Sequence, residues 1–520
     1  MKMKKIAALS LATVMTLGLS ATAFAQTAAP TTPDADNATI TIANASKGET
    51  YTIYQLFNAT VTGNAEGGSI AYQLMEGKSA EDTGLLEYFN VDASGNVTAK
   101  ESTNEAVLKS DEFKAWAASY GTPLVSDVES DGSALNFTGL PYGYYYVTTS
   151  QGTNITVDST NPNATIYDKN STTPKVNDDA KKTDKEEVTV GETVTYTVTF
   201  NATNFIGEGK DAQRVLSYTI KDTLPDWLSD VNVTSIIVDN DGDLTTTNDQ
   251  ANVTTQFVNK EIELAWVDGD NNSLYNNNAL IQVVYTATVN AGVTVGSDNK
   301  NVNEVTIGYK LDKDQPSTEY KTVEETIETY ALAIQKVDEN GNKLPGATFT
   351  VKDIDYVISL NKDENGNDLG GHYKVALANT EGAMSGAELK SDANGYLILE
   401  GVKSGDYTVT EVTAPGGYNK LTADVTVTAQ KIKSVTYTYT TTVWKDAQGN
   451  ITDTETEGAT KIEEGTNQLE STALVVINQK GNELPSTGGI GTTIFYVVGG
   501  ILVVGAGVVL VAKKRMNHEA

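Results

Sequence analysis

The stretch Val188-Thr189-Val190-Gly191-Glu192-Thr193-Val194-Thr195-Tyr196-Thr197-Val198-Thr199-Phe200 decides the fold class. Its large apolar residues, Val188, Val190, Val194, Tyr196, Val198 and Phe200, fall on alternate positions. Successive side chains of a strand point to opposite faces, so this spacing builds one apolar face and one threonine face. β-Branched and aromatic residues also suit a pleated, half-buried surface. Upstream, Thr39-Ile40-Thr41-Ile42 and Tyr51-Thr52-Ile53-Tyr54 read as short strands around a turn at Lys47-Gly48-Glu49, and Gly143-Tyr144-Tyr145-Tyr146-Val147 as another strand. A stretch from Glu105 to Tyr120 is more helical, with Val107, Leu108, Phe113 and Trp116 on one face. Downstream, Leu332-Ala333-Ile334 opens and Leu474-Val475-Val476-Ile477 closes a third region. Turn signals at Asn340-Gly341, Asn394-Gly395 and Gly416-Gly417 punctuate it.

Strands at this spacing predict an all-β chain of three antiparallel β-sandwiches in series, resembling immunoglobulin-type modules. The predicted domains cover residues 26–170, 171–330 and 331–483. Ser171-Thr172-Thr173-Pro174 reads as a linker, and the Thr- and Glu-rich segment from Thr322 to Thr329 as a connector. The chain carries 37 Lys+Arg against 68 Asp+Glu, a net charge of −31, which repels nucleic acid and anionic membranes. It has no cysteine and two histidines, His372 and His518. Disulfide stapling, thiolate zinc sites and Cys/His catalysis are thereby set aside, and no nucleophile–base pair stands out as an enzyme's. Asp239-Asn240-Asp241-Gly242-Asp243 looks like a calcium loop, but Leu244 replaces the needed glycine and Gln250 the bidentate glutamate. It reads as an acidic turn, and no metal or cofactor is expected. Asn154 and Asn232 begin Asn-X-Thr sequons, which by themselves are weak evidence for glycosylation.

Both ends carry export signals. Lys2, Lys4 and Lys5 precede an apolar stretch from Ile6 to Leu19, and Ala23-Phe24-Ala25 supplies small residues before a cleavage point at Gln26. That is the layout of a signal peptide, residues 1–25. At the other end, residues 484–520, Leu484-Pro485-Ser486-Thr487-Gly488 precedes an apolar run from Ile490 to Ala512, closed by Lys513-Lys514-Arg515. The run is long enough to span a hydrocarbon core of about 30 Å, and the basic cluster holds the tail inside. This arrangement resembles the cell-wall sorting signal of Gram-positive surface proteins. The resemblance implies that a sortase cysteine cleaves after Thr487 and holds its carbonyl as a thioester until an amine attacks.

The third region contains Lys336-Val337-Asp338-Glu339, Leu344-Pro345-Gly346-Ala347-Thr348-Phe349, the run Gly405 to Pro415 with Tyr418, and Asn478. These stretches resemble the collagen-adhesin B-type domain. The resemblance implies an intramolecular isopeptide bond between Lys336 and Asn478, assisted by Glu411. Burial would support it by favouring a neutral lysine nucleophile and a protonated glutamate. In the second region, Tyr218 to Pro225 and Asn303 to Tyr309 are similar to the middle domain of pilin shafts, implying Asp222 as helper and Asn303 as acceptor. The lysine is expected at Lys175, with Lys181 and Lys182 behind it, because Asp178 stands where the family has its lysine.

Asn163 to Asn170 resembles the pilin motif, with Asp168 where the family often has proline; it implies Lys169 as the amine that attacks the sortase thioester. The chain is thus similar to the backbone subunits of sortase-assembled pili. That implies a sortase substrate rather than an enzyme, at the cell surface. Its expected partners are pilus and housekeeping sortases, identical subunits, accessory or tip pilins, and peptidoglycan. The alternative is a monomeric wall-anchored adhesin with the same sorting signal. The ligand stays open.

Overall fold

The structure is a computed structural model that describes residues 26–28, 38–62, 69–159, 163–168, 170, 172–295, 301–386, 388–430, 438–445, 451–452, 460–466, 473–482 and 490–516. The signal peptide, Lys169, Leu484 to Gly488 and His518 lie outside the described residues. The chain divides into two compact units, Met1–Thr329 and Tyr330–Ala520.

Among the described residues, the first unit holds two pairs of larger sheets and a two-stranded ribbon, Phe205–Ile206 with Gln213–Arg214. In the earlier pair, Ala38–Ile42 lies parallel to Asn163–Ile166 and antiparallel to Leu135–Leu140. Thr50–Thr62 centres the second sheet, pairing with Gly143–Thr149, Thr122–Glu129 and Ser69–Gln73. The predicted helical stretch forms, but as two helices, Glu105–Leu108 and Asp111–Tyr120. Ser110 explains the break: its side chain accepts from the Phe113 N–H and caps a new helix. Phe113 and Ala117 then pack against Leu56, Phe57 and Phe89.

The later pair is a sandwich of a five-stranded and a four-stranded sheet. Thr193–Asn201 buries Val194, Tyr196, Val198 and Phe200, as the alternation predicts, and pairs along its length with Leu280–Val289. The four-stranded sheet is built on Ser217–Asp222 and Val302–Lys310. Two segments read as connections are instead structural. Thr172 is buried, and its hydroxyl donates to the Phe205 carbonyl at 2.6 Å. Thr318–Thr326 is a strand paired with Val302–Lys310, and Val323 on it is buried. A Thr/Glu-rich edge strand needs only one inward apolar position in two, so its composition resembles that of a linker.

The second unit packs a six-stranded sheet against a four-stranded one. It opens on Tyr330–Asp338 and closes on Leu474–Asn478, and these two strands are adjacent and parallel. Parallel pairing here and in the first sheet departs from the antiparallel expectation. Parallel neighbours need a long crossover, and the body of each domain supplies it. Gly395 takes a positive φ of 74° in the turn beside Lys336, where a Cβ would collide with the Lys336 carbonyl. The chain also contains a helix, Ile490–Met516, with Lys513, Lys514 and Arg515 in its last turn. Its segment Ile494–Arg515 is long and apolar enough to cross a membrane.

Two buried lysine sites and the pilin-motif turn

In the second unit, three polar residues occupy buried strand positions. Lys336 lies on the opening strand, and Asn478 follows Val476 on the inner face of the closing one. Glu411 follows Val409 inward from Gly405–Thr413 in the opposite sheet. All three are buried to within 1 %. Lys336 Nζ donates to Asn478 Oδ1 at 2.5 Å and to the Val476 carbonyl at 3.0 Å. Asn478 Nδ2 donates to Glu411 Oε1 at 2.9 Å, and that oxygen stands 3.8 Å from Lys336 Nζ. Leu421 N–H donates to the other Glu411 oxygen at 2.7 Å. Burial pulls the Lys336 ammonium down to about 8, against the opposing charge of Glu411. One carboxylate therefore touches both the amide nitrogen and the approach of the amine.

The middle site has the same ingredients in another arrangement. Asp222 and Asn303 sit on paired strands of the four-stranded sheet, while the lysine comes from the five-stranded sheet. That lysine is Lys181. Lys175, the first choice from sequence, is exposed, with its backbone paired to Asn201, and it is not brought to Asp222. Lys182 is exposed in an ion pair with Asp179. Lys181 is fully buried, with Nζ 2.9 Å from Asp222 Oδ2, and burial draws it down to about 8. Its strand, Lys181–Thr183, has three residues, too few to show a periodicity. Asp178, in the place expected for the lysine, accepts from Lys321 instead.

A fourth residue, absent from the sequence reading, completes this site. Tyr285 lies between Val283 and Ala287 on the inner face of Leu280–Val289. Its hydroxyl donates to Asp222 Oδ2 at 2.5 Å and accepts from Asn303 Nδ2 at 2.9 Å. The Thr223 hydroxyl donates to Asn303 Oδ1 at 3.2 Å. An inward tyrosine in a β-strand reads as core, and only its polar tip distinguishes it.

Residues 330–443 match the SpaA prealbumin-like fold domain, and residues 477–518 match the LPXTG cell wall anchor motif. The chain carries a SpaA-type prealbumin-like domain and an LPXTG cell-wall anchor motif. With its apolar C-terminal helix, the chain is a cell-wall-anchored surface protein whose precursor is held in the membrane. It is similar to the trypsin-resistant surface T6 protein of Streptococcus pyogenes serotype M6, 24% identical over 92% of this chain and 95% of the relative. Among solved structures it is similar to the T6 backbone pilin of serotype M6 Streptococcus pyogenes, at 18% identity and a TM-score of 0.38, over 87% of this chain and all of that one. The full-length RrgB pilus protein from Streptococcus pneumoniae gives 13% and 0.34, again over 87% and 100%.

In this chain both residues flanking Lys169 are held by hydrogen bonds. Asp168 is 4 % exposed; its N–H donates to Asn44 Oδ1 at 2.6 Å, and its carbonyl accepts from Asn44 Nδ2 at 3.1 Å and Gly209 N–H at 2.9 Å. Its Oδ1 accepts from the Asn170 N–H at 2.9 Å, and Oδ2 from the Tyr51 hydroxyl at 3.4 Å. Burial raises this carboxyl to about 6. Gly209 belongs to the middle domain, so the turn is tied to both. Lys47 N–H to Asn204 Oδ1 at 2.7 Å and Arg214 Nη1 to the Gly132 carbonyl at 2.9 Å extend that junction. Elsewhere, Asp239, Asp241 and Asp249 bring carboxylate oxygens within 4.8 Å of one another. The Asp239 carboxylate is taken up by the Gly242 and Asp243 N–H groups and by Gln250 Nε2, which close the acidic turn.

Proposed function

We propose that this chain is the shaft subunit of a pilus, a structural substrate of a sortase rather than an enzyme. The sortase thiolate cleaves the Thr487–Gly488 bond and holds Thr487 as a thioester; the Lys169 amine of the next subunit displaces the thiol and forms an isopeptide bond. Repetition joins identical subunits head to tail in an open, non-closing series. Accessory or tip pilins and final attachment to peptidoglycan by a housekeeping sortase belong to the same reading. The end-to-end correspondence with the T6 surface protein supports it.

The observation that supports a mechanical role is the pairing of Lys336 with Asn478 on adjacent parallel strands, the first and last of their domain. Parallel terminal strands put the chain's entry and exit at opposite ends. A bond between them therefore takes tension directly and spares the chain between them, whose ends lie 142 positions apart. In each domain a neutral lysine amine attacks the asparagine Cγ, a new C–N bond forms, and ammonia leaves. We assign Lys336–Asn478 with Glu411, and Lys181–Asn303 with Asp222.

Boiling-SDS immunoblots of wall extracts test the shaft reading. A high-mass ladder in wild type that collapses to monomer in Lys169→Ala is expected. A ladder that survives moves the acceptor to another lysine, and a single wall-linked band in both strains leaves the monomeric adhesin.

A further inference from the structure

The two lysine sites differ by one methylene, and that difference exposes a requirement. In the second unit, Glu411 Oε1 reaches both Asn478 Nδ2, at 2.9 Å, and Lys336 Nζ, at 3.8 Å. One acid can therefore accept the amine's proton and return it to the departing nitrogen. In the middle domain the acid is Asp222, one carbon shorter. Its Oδ2 holds Lys181 Nζ at 2.9 Å, and its other oxygen is occupied by the Leu224 N–H at 2.9 Å. The bond of Asn303 Nδ2 runs to the Tyr285 hydroxyl, and that hydroxyl donates to the same Asp222 Oδ2.

We propose that Tyr285 is a catalytic residue of the middle domain's self-crosslinking: its hydroxyl carries the proton from Asp222 to the leaving amide nitrogen of Asn303. The proposal rests on the reading that Lys181 and Asn303 form the middle-domain bond.

The steps balance. Lys181 gives a proton to the Asp222 carboxylate, and the neutral amine attacks Asn303 Cγ, opening the carbonyl to an oxyanion on Oδ1. The Thr223 hydroxyl already donates to that oxygen. The amide nitrogen, now tetrahedral, has a free lone pair. Tyr285 gives it a proton while taking one from Asp222, so the hydroxyl is restored and the nitrogen becomes a leaving ammonia. The attacking nitrogen loses its second proton to Asp222, the Cγ–Nδ2 bond breaks, and the carbonyl re-forms. Ammonia departs with that last proton as ammonium, and Asp222 ends as a carboxylate. Burial and the neighbouring Asp222 charge push the Tyr285 phenol far up, so it keeps its proton at neutral pH and serves as a donor.

The surroundings suit such a relay. Lys181, Asp222, Tyr285 and Asn303 are each at most 1 % exposed, so water cannot substitute for the hydroxyl. The Tyr196 ring stacks on Tyr285 with centroids 5.2 Å apart, fixing the phenol in place. Removing a positioned proton carrier slows a reaction by about a hundredfold or more.

The test follows the mass of the secreted mature chain over time, since each bond removes one ammonia, about 17 Da. Lys181→Ala is expected to retain one ammonia when weighed against its own sequence mass; if it falls short of that mass by as many ammonias as the wild type does, the underlying assignment of the middle-domain bond fails. Given that result, Tyr285→Phe is expected to form the middle bond at least a hundredfold more slowly, while the Lys336–Asn478 bond in the same molecule forms at its normal rate. Adding Asp222→Glu to Tyr285→Phe restores speed, because the longer acid reaches Asn303 itself. Equal rates in Tyr285→Phe and wild type overturn the relay alone. If Tyr285→Phe does not fold, fluorotyrosines at position 285 preserve the shape and change phenol acidity. Crosslinking rates that follow that acidity support the relay, and rates indifferent to it overturn it.

Discussion

Glu411→Gln removes the acid that serves the Lys336–Asn478 pair while keeping nearly its volume. Without a carboxylate to take the lysine's proton and pass it to Asn478, that bond does not form, and the chain keeps one ammonia, about 17 Da. The proposed crosslink would join residues 142 positions apart. If it constrains the unfolded chain as a disulfide does, its loss costs about 5 kcal/mol at 25 °C. A further penalty of about 1–3 kcal/mol falls on whichever donor, Leu421 N–H or Asn478 Nδ2, comes to face the new amide NH₂. For a domain of this size about 1 kcal/mol moves the midpoint by roughly 2–4 °C, so the second unit melts roughly 10–20 °C lower or more. Intact-mass spectrometry and differential scanning calorimetry on the secreted chain read the two effects independently. A variant that still loses the ammonia would falsify the role given to Glu411. One that keeps the ammonia yet melts within a few degrees of wild type would show that the bond does not hold the domain together.

Other expectations follow from the same geometry. Lys181→Ala restores about 17 Da and Lys175→Ala none, because only Lys181 meets Asp222; the reverse pattern in intact mass sinks the reassignment. Asp168 gives a pH dependence of defined sign. Its carboxyl lies at about 6 against an unfolded value near 3.8, so its contribution to stability is fully present below pH 3.8 and is lost as pH rises through about 6. The size is at most about 3 kcal/mol. Asp168→Asn should therefore flatten the fall in first-unit stability between pH 4 and 7 in thermal melts, and an unchanged slope refutes that cause. Arg214→Ala, which removes the bonds to the Gly132 carbonyl and to Ser273 Oγ, leaves a buried acceptor unpaired and should cost about 1–3 kcal/mol at the junction within the first unit. Earlier tryptic cleavage there checks it, and resistance equal to wild type refutes it.

Local pattern in this chain was enough to place the strands and much of the chemistry. The alternation from Val188 to Phe200 needs no partner to be recognised, because a strand's two faces are set by its own backbone. Glu411 and Asn478 were singled out by the resemblance to the collagen-adhesin B-type domain, and the inward register that buries them beside Lys336 belongs to the folded strands. Export and anchoring rest on length and composition, which the amino-acid order carries by itself, and the helix Ile490–Met516 follows from that run. What the tertiary structure decided depends on partners distant in the chain. Lys181 stands on a strand too short for a pattern and becomes distinct from Lys175 and Lys182 only by facing Asp222, 41 residues away. Tyr285 is another core aromatic until Asp222 and Asn303 close on its hydroxyl. The parallel pairing of Tyr330–Asp338 with Leu474–Asn478 is also invisible locally, since which strands meet is settled by packing of the whole domain rather than by either strand alone.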